Sequence, residues 1–371
     1  MRRMFAMFGL VVGVTTSALA QRVWQSEIGI QGGFVRVKPA GTGLADQIDV
    51  FAIPGANYVL GLLSEGSVYA IIPWFDKLAI EPSFVVSQLQ ANTSNTTGRL
   101  GLRANYAITS KLYASAGAVL LYIDATSQHV KQLGLQGAVG YRLHLAGSLN
   151  GRVEANFSTT KKVKDLNPFI GYGVLFGVSS PLNGAGAAAP QPTAPERAWH
   201  AVLGVQGGYL SAHTVGGGQD IAGFAVPGLG GSLSGIGPAN FIPGPPTMFV
   251  ILPISNKIAI ETGFDIVRVQ QAQSSSTGFS GNFSARVNYA VRGSWYGAAG
   301  ANLNYLKYTS GSGTITGANI AWGYRFGLGS NWGGRVELNY SLFGKKDNSG
   351  TGLSVAPQNV VGLLFGAAVP L

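Results

Sequence analysis

Apolar and polar residues alternate with a period of two along most of the chain, the pattern of strands whose two faces meet different surroundings. Leu100, Leu102, Ala104 and Tyr106 share one face, and Gly101, Arg103 and Asn105 the other. Arg152, Glu154 and Asn156 oppose Val153, Ala155 and Phe157, and Gly171, Gly173 and Gly177 oppose Ile170, Tyr172, Val174, Phe176 and Val178. Near the start, Ile28, Ile30 and Phe34 oppose Glu27, Gly29, Gln31 and Gly33. The alternation predicts strands at about 24–38, 67–73, 77–90, 98–108, 111–123, 132–143, 150–159 and 168–179. Connections at 73–77, 108–111 and 146–150 are tight. Those at 39–66, 91–97, 125–131 and 160–167 are longer and rich in Gly, Ser, Thr, Asn and Lys.

The same pattern is then written again. Trp24 and Ile30-Gln31-Gly32-Gly33-Phe34 match Trp199 and Val205-Gln206-Gly207-Gly208-Tyr209. Lys77 to Phe84 matches Lys257 to Phe264, and Arg103-Ala104-Asn105-Tyr106 matches Arg286-Val287-Asn288-Tyr289. Gly151-Arg152-Val153-Glu154 matches Gly334-Arg335-Val336-Glu337, and Leu175-Phe176-Gly177 matches Leu364-Phe365-Gly366. The order never breaks, so the chain divides into a first unit, 21–182, and a second, 198–371. Residues 183–197, rich in Ala and Pro, read as a linker.

Composition narrows the class. Charged residues are only 11% of the 371, hydrophobic ones 46%, and glycine counts 55. A disordered chain needs the opposite balance. A disulfide scaffold is excluded because there is no cysteine. Arg2 and Arg3, the apolar stretch Phe5 to Val14 and Ala18-Leu19-Ala20 predict a secretory signal peptide over 1–20. Beyond it no apolar run reaches the roughly 18 residues of a membrane helix. A face carrying Arg, Glu, Asn and many glycines is no dry core, so it is expected to line a polar lumen, with the apolar, Tyr-bearing face toward lipid. The expected fold is all-β: a transmembrane antiparallel up-and-down β-barrel, as two tandem units of about eight strands each. The alternative is one 16-stranded barrel. Trp24, Trp74, Trp199, Trp295 and Trp332 fall at strand ends near short turns. With Tyr106, Tyr141, Tyr289 and Tyr324 they are expected to form an outward aromatic girdle.

On these features the chain resembles the small eight-stranded outer-membrane β-barrel proteins, the OmpA/OmpX-like superfamily, present as a tandem duplication. Gly171-Tyr172-Gly173-Val174-Leu175-Phe176-Gly177-Val178 and Val360-Val361-Gly362-Leu363-Leu364-Phe365-Gly366-Ala367 look like the terminal strand signal read by the barrel assembly machinery. Such barrels usually end in an aromatic residue, whereas this chain continues to Pro370-Leu371. The resemblance implies the cell outer membrane as location, with outer-membrane lipid and the assembly machinery as partners. It fixes no substrate.

The candidate chemistry is a lumen charge network repeated in both units: Glu81, Arg103, Arg142, Arg152 and Glu154, and Glu261, Arg286, Arg325, Arg335 and Glu337. Buried charge is costly unless paired, so pairing is expected. The network then either fills a narrow lumen or selects solutes at a constriction. Lys161, Lys162 and Lys164, matched by Lys345 and Lys346, form basic loops, either solvated tips or contacts for lipopolysaccharide phosphates. The basic residues are split between lumen and loops, which argues against nucleic acid. The long connections 39–66 and 212–246 hold Phe51, Ile53, Tyr58, Leu60, Phe224, Val226, Leu229 and Phe241, with the steps Pro54-Gly55 and Pro227-Gly228. His129, His144, His200 and His213 have no counterparts across the repeat, and His144 near Ser148 lacks an orienting acid. No catalytic residue, metal site or cofactor is expected. The expected function is a non-enzymatic outer-membrane protein with a structural or interaction role; the alternative is a porin-like channel for small solutes.

Overall fold

The computed structural model describes residues 23–39, 47–53, 68–90, 94–125, 128–146, 149–163, 168–182, 198–216, 220–226, 244–271, 277–308, 311–328, 332–344, 346–348, 353–355 and 357–371. The expected signal peptide (1–20), the linker (183–197), the two Pro-Gly steps, Tyr58, Leu60, Leu229, Phe241, Ser148, Lys164 and Lys345 lie outside these residues.

The first unit holds β1 (Glu27–Pro39), β2 (Ile48–Ile53), β3 (Val68–Pro73), β4 (Leu78–Gln90), β5 (Ser94–Ala107), β6 (Leu112–Ala125), β7 (Gln128–Ala146), β8 (Leu149–Thr160) and β9 (Phe169–Pro181). The second holds β10 (Val202–Thr214), β11 (Ile221–Val226), β12 (Met248–Pro253), β13 (Ile258–Gln271), β14 (Thr277–Arg292), β15 (Trp295–Tyr308), β16 (Gly311–Gly327) and β17 (Gly333–Phe343). It continues with the small hairpin β18 (Lys346–Asn348) and β19 (Leu353–Val355), then β20 (Gln358–Pro370). Every pairing between these strands is antiparallel, and together they form a closed barrel with the hairpin outside it.

The barrel divides along its length. Toward the short turns, β1 pairs β3 through Glu27–Ile30 and β3 continues to β4, so β1, β3 and β4–β9 close a ring of eight. Likewise β10, β12–β17 and β20 close a second ring of eight. Toward the long loops, β1 leaves β3 and pairs β2, which lies against β13 of the other unit. Reciprocally β10 pairs β11, which lies against β4. The loop side is therefore one sixteen-stranded ring, β1–β2–β13–β14–β15–β16–β17–β20–β10–β11–β4–β5–β6–β7–β8–β9, that splits into two eight-stranded rings. This corrects the expectation of two separate tandem barrels and realises the 16-stranded alternative on the loop side. It also corrects the reading of 39–66 and 212–246 as plain loops, since β2 and β11 lie within them. The two seams use matching register: Ile53 faces Ile266, and Val226 faces Val86.

The change of partner on β1 and β10 falls on the repeated Gly-Gly steps. Gly33 has φ +149° and Gly208 has φ +152°. A Cβ on Gly33 would lie 2.3 Å from the carbonyl oxygen of Val174, and one on Gly208 2.1 Å from that of Leu363. Glycine lets the strand bend there while the neighbouring backbone stays close.

Alternation assigns the two faces. Leu102, Leu135 (64% exposed), Phe157, Phe176, Ile320 and Phe365 form an apolar outer belt. Tyr106, Tyr141, Tyr289, Tyr324, Trp74 and Trp295 are exposed on the same outer surface. Trp24 and Trp199 correct the girdle expectation, for they are 1% and 2% exposed. Each turns inward, donates its indole N–H to the carbonyl of Lys77 or Lys257 at 3.0 Å, and meets the edge of Tyr113 or Tyr296. They precede β1 and β10 and so escape the strand parity that would aim them outward. Trp332 is half-buried and ties the units on the turn side, donating to the carbonyl of Pro181 at 3.2 Å. The lumen is not polar throughout: toward the loops Val35, Val37, Val119, Leu121 and Leu175 point inward and are buried.

Candidate functional site

Each eight-stranded ring is crossed by an ion-pair layer. In the first unit, β4 presents Glu81, β5 Arg103 and β8 both Arg152 and Glu154, all on lumen-facing positions. Glu81 and Glu154 have no exposed surface. Arg103 Nη2 lies 2.7 Å from Glu81 Oε1 and 2.5 Å from Glu154 Oε1. Arg152 Nη1 donates to Glu81 Oε2 at 2.8 Å and Nη2 to Glu81 Oε1 at 3.0 Å. In the ring order β1–β3–β4–β5–β6–β7–β8–β9, β4 and β8 stand opposite one another, so this bidentate pair spans the lumen. Neutral groups complete the layer. Asn105 donates to Glu81 at 2.7 Å, Tyr113 donates to Glu154, and Arg152 donates to Gln31. The Arg152 guanidinium also lies 3.4 Å from the centre of the Tyr69 ring.

The second unit repeats the arrangement. Arg286 donates through both terminal nitrogens to Glu337, at 2.7 and 2.6 Å, and lies 2.8 Å from Glu261. Arg335 donates to both oxygens of Glu261, at 2.7 and 3.0 Å, and to Gln206. Asn288 and Tyr296 hold Glu261 and Glu337 at 3.0 and 2.9 Å, and Phe249 takes the place of Tyr69 beneath Arg335 at 3.6 Å. Paired and hydrogen-bonded in this way, eight charges stay buried that would singly be prohibitive.

Arg142 and Arg325 sit apart from these layers, nearer the short turns, which corrects their grouping with the others. Arg142 pairs with Glu27, which also accepts from Ser179 at 2.6 Å and Asn150 at 3.2 Å, and its guanidinium lies 4.8 Å from the Trp24 ring. Glu27 has no repeat counterpart, since Val202 stands in its place, so duplication alone did not single it out. Arg325 accordingly meets the Trp199 face at 4.1 Å and the carbonyl of Ala198.

A lumen plug exists in the second unit. Residues 244–247, just before β12, are buried inside the ring. Asn282 donates to the carbonyl of Gly244 at 2.6 Å, Gln206 to that of Pro246 at 2.7 Å, and the Thr247 N–H reaches both oxygens of Asp265 at 2.8 Å. Gln206 thus joins the plug to Arg335. No repeat signal marks this segment, because Val85 and Arg99 occupy the places of Asp265 and Asn282 in the first unit.

The other candidates are peripheral. Lys161 and Lys162 are exposed, and Lys346 begins the small hairpin. His129 is exposed beside Asp124, His213 is exposed and 2.6 Å from Asp220, and His144 and His200 are exposed. Among the described residues no three His, Cys, Asp or Glu side chains gather as a metal site would require.

No family model matches the chain, and no curated protein matches it either. Solved structures similar to it include the CymD monoaromatic hydrocarbon channel, at 9% identity and a TM-score of 0.31, covering 95% of this chain and 89% of that one. OmpT, an outer membrane protein of Vibrio cholerae, is 10% identical at a TM-score of 0.25, covering 96% of this chain and 100% of that one. An outer membrane channel from Pseudomonas putida F1 is 9% identical at 0.24, covering 95% and 100%. Similarity at these scores carries no argument about what this chain does.

Proposed function

We propose that the chain is an integral outer-membrane β-barrel protein that passes small solutes through two parallel lumina, each held shut at rest by its ion-pair layer. A closed barrel satisfies its backbone hydrogen bonds without free edges, which is what a bilayer demands of strands. The outer belt of Leu, Ile, Val and Phe with tyrosines and tryptophans supports a lipid-facing surface. Insertion by the barrel assembly machinery follows from that placement. No catalytic role is proposed.

The observation that carries the channel reading is the change of bore. Sixteen strands leave room for water, whereas eight leave an interior just wide enough for side chains. A wide loop-side ring thus leads to two narrow ones, and at each narrowing the lumen is closed by charge. A permanent seal of apolar side chains of similar volume is often at least as stable as a buried ion pair. Charged groups, unlike apolar ones, can part and exchange partners with water. A plugged barrel with a structural or interaction role is the second reading, favoured by the bidentate spans Arg152–Glu81 and Arg335–Glu261.

Planar-bilayer recording separates these. The purified protein is expected to give rare, brief openings, and the double substitution Glu81→Gln/Glu261→Gln to raise open probability roughly tenfold, as the loss of about 1.4 kcal/mol from closure requires. Silence from both proteins, each shown to be folded, supports the plugged reading. Large steady steps from the unaltered protein contradict closure by the layers.

A further inference from the structure

The two lumina are not equivalent above the ion-pair layers. In the second unit the next lumen positions toward the loops carry Asn282 on β14, Asn302 and Asn304 on β15, Asn319 on β16, and Asn339 and Ser341 on β17, all buried. Four of them, Asn302, Asn319, Asn339 and Ser341, form a ladder of hydrogen bonds, while Asn282 holds the plug at Gly244. Asn319 donates to Asn302 at 2.9 Å, Asn302 to Ser341 at 3.4 Å, Ser341 to Asn339 at 2.9 Å, and Asn339 to Glu337 of the ion-pair layer at 3.4 Å. Yet the ladder is incomplete. Among the described residues, both head atoms of Asn304, which is 0% exposed, have no partner, nor do Oδ1 of Asn282 and Oδ1 of Asn319. The first unit places Val119 and Leu121 where the second has Asn302 and Asn304.

Buried polar atoms without partners are costly, so a site of this kind calls for a polar guest. Carboxamides offer both donors and acceptors and no charge, and hydroxyl groups match them in both respects. Beside the upper rungs lie the buried side chains of Ile315, directly opposite Asn304, and Phe343, with Leu306 beyond them, an apolar stretch that disfavours bare ions. The bore of eight strands limits the guest to a slender molecule. We propose that the lumen of the second unit binds small neutral polyols, of the size of glycerol or erythritol, along this Asn/Ser ladder and conducts them when the 244–247 plug that Asn282 and Gln206 hold gives way, while the first unit's lumen is closed to them by Val119 and Leu121. This inference rests on the channel reading above and names its solute class and its path.

Swelling of proteoliposomes carrying the full chain, in isosmotic glycerol and erythritol, tests it. One variant, Asn302→Val/Asn304→Leu, gives the second unit the residues that the first already holds. The mirror variant, Val119→Asn/Leu121→Asn, does the reverse. Folding of each is checked by heat-modifiable migration on gels. The unaltered protein is expected to support swelling, the first variant to slow it about tenfold or more, as loss of one or two hydrogen bonds to the solute implies, and the mirror variant to raise it about twofold. Swelling that Asn302→Val/Asn304→Leu leaves unchanged overturns the assigned path while leaving the channel reading standing. No swelling from the unaltered protein or from the opened Glu81→Gln/Glu261→Gln protein overturns the channel reading and this inference together. If the first variant fails to fold, the mirror variant decides: a rise supports the ladder, and no rise overturns it.

Discussion

Arg152 and Glu81 show how single residues set the state of a lumen. They belong to strands that face one another across the ring, and each is nearly without solvent. Removing one partner leaves the buried layer with an uncompensated charge, since Arg103 alone then serves both Glu81 and Glu154 when Arg152 is lost. Arg152→Met is therefore expected to destabilise the protein by about 3–5 kcal/mol in urea unfolding from lipid vesicles. Arg152→Met/Glu81→Met removes both charges, leaves Arg103 with Glu154, and is expected to recover most of that loss. Equal loss in the single and double variants would mean that packing, not charge, is what the pair supplies. These positions were legible in the sequence because they recur on the polar face of matched strands. Glu27, Asp265 and Gln206 were not singled out as functional. Glu27 and Asp265 have apolar counterparts in the other unit, Val202 and Val85, and a neutral Gln206 reveals its role only through what it touches.

At the scale of strands, alternation located the long elements and their inward faces but not the six-residue strands β2 and β11. Each is short and lies in a Gly-rich connection; β11 is apolar on both faces and β2 carries Asp49 as its one polar residue, so no period stands out. Partner choice was also illegible. β2 meets β13 in the same register as β11 meets β4, so the repeated sequence satisfies pairing within a unit and across units equally well. The Gly-Gly steps are where the difference is written, for they let β1 and β10 change partners. Gly33→Ala is expected to cost about 1–3 kcal/mol, through backbone strain and the approach to Val174. Gly333→Ala, where a Cβ would meet nothing nearer than 3.9 Å, serves as the control and is expected to fall within about 0.5 kcal/mol. Unfolding midpoints of the two variants compare them directly, and equal values would remove any special role for Gly33.

For the molecule as a whole, the central claim is that two repeats share one wide ring on the loop side and part into two narrow ones on the turn side. The shared ring depends on the seams, and the chain's lack of cysteine gives a clean background for reading them. Ile53 and Ile266 are directly opposed across the seam between β2 and β13. In two independent barrels Ile53 would instead face Val86, because Val86 is the partner of Val226, the repeat counterpart of Ile53. Opposed strand residues bring their Cβ atoms within disulfide reach. The decisive measurement is oxidative cross-linking of the membrane-inserted protein, read on non-reducing gels, for Ile53→Cys/Ile266→Cys and Ile53→Cys/Val86→Cys. The shared ring predicts a cross-link in the first pair and none in the second; a cross-link in the second pair alone would contradict it and establish two separate barrels.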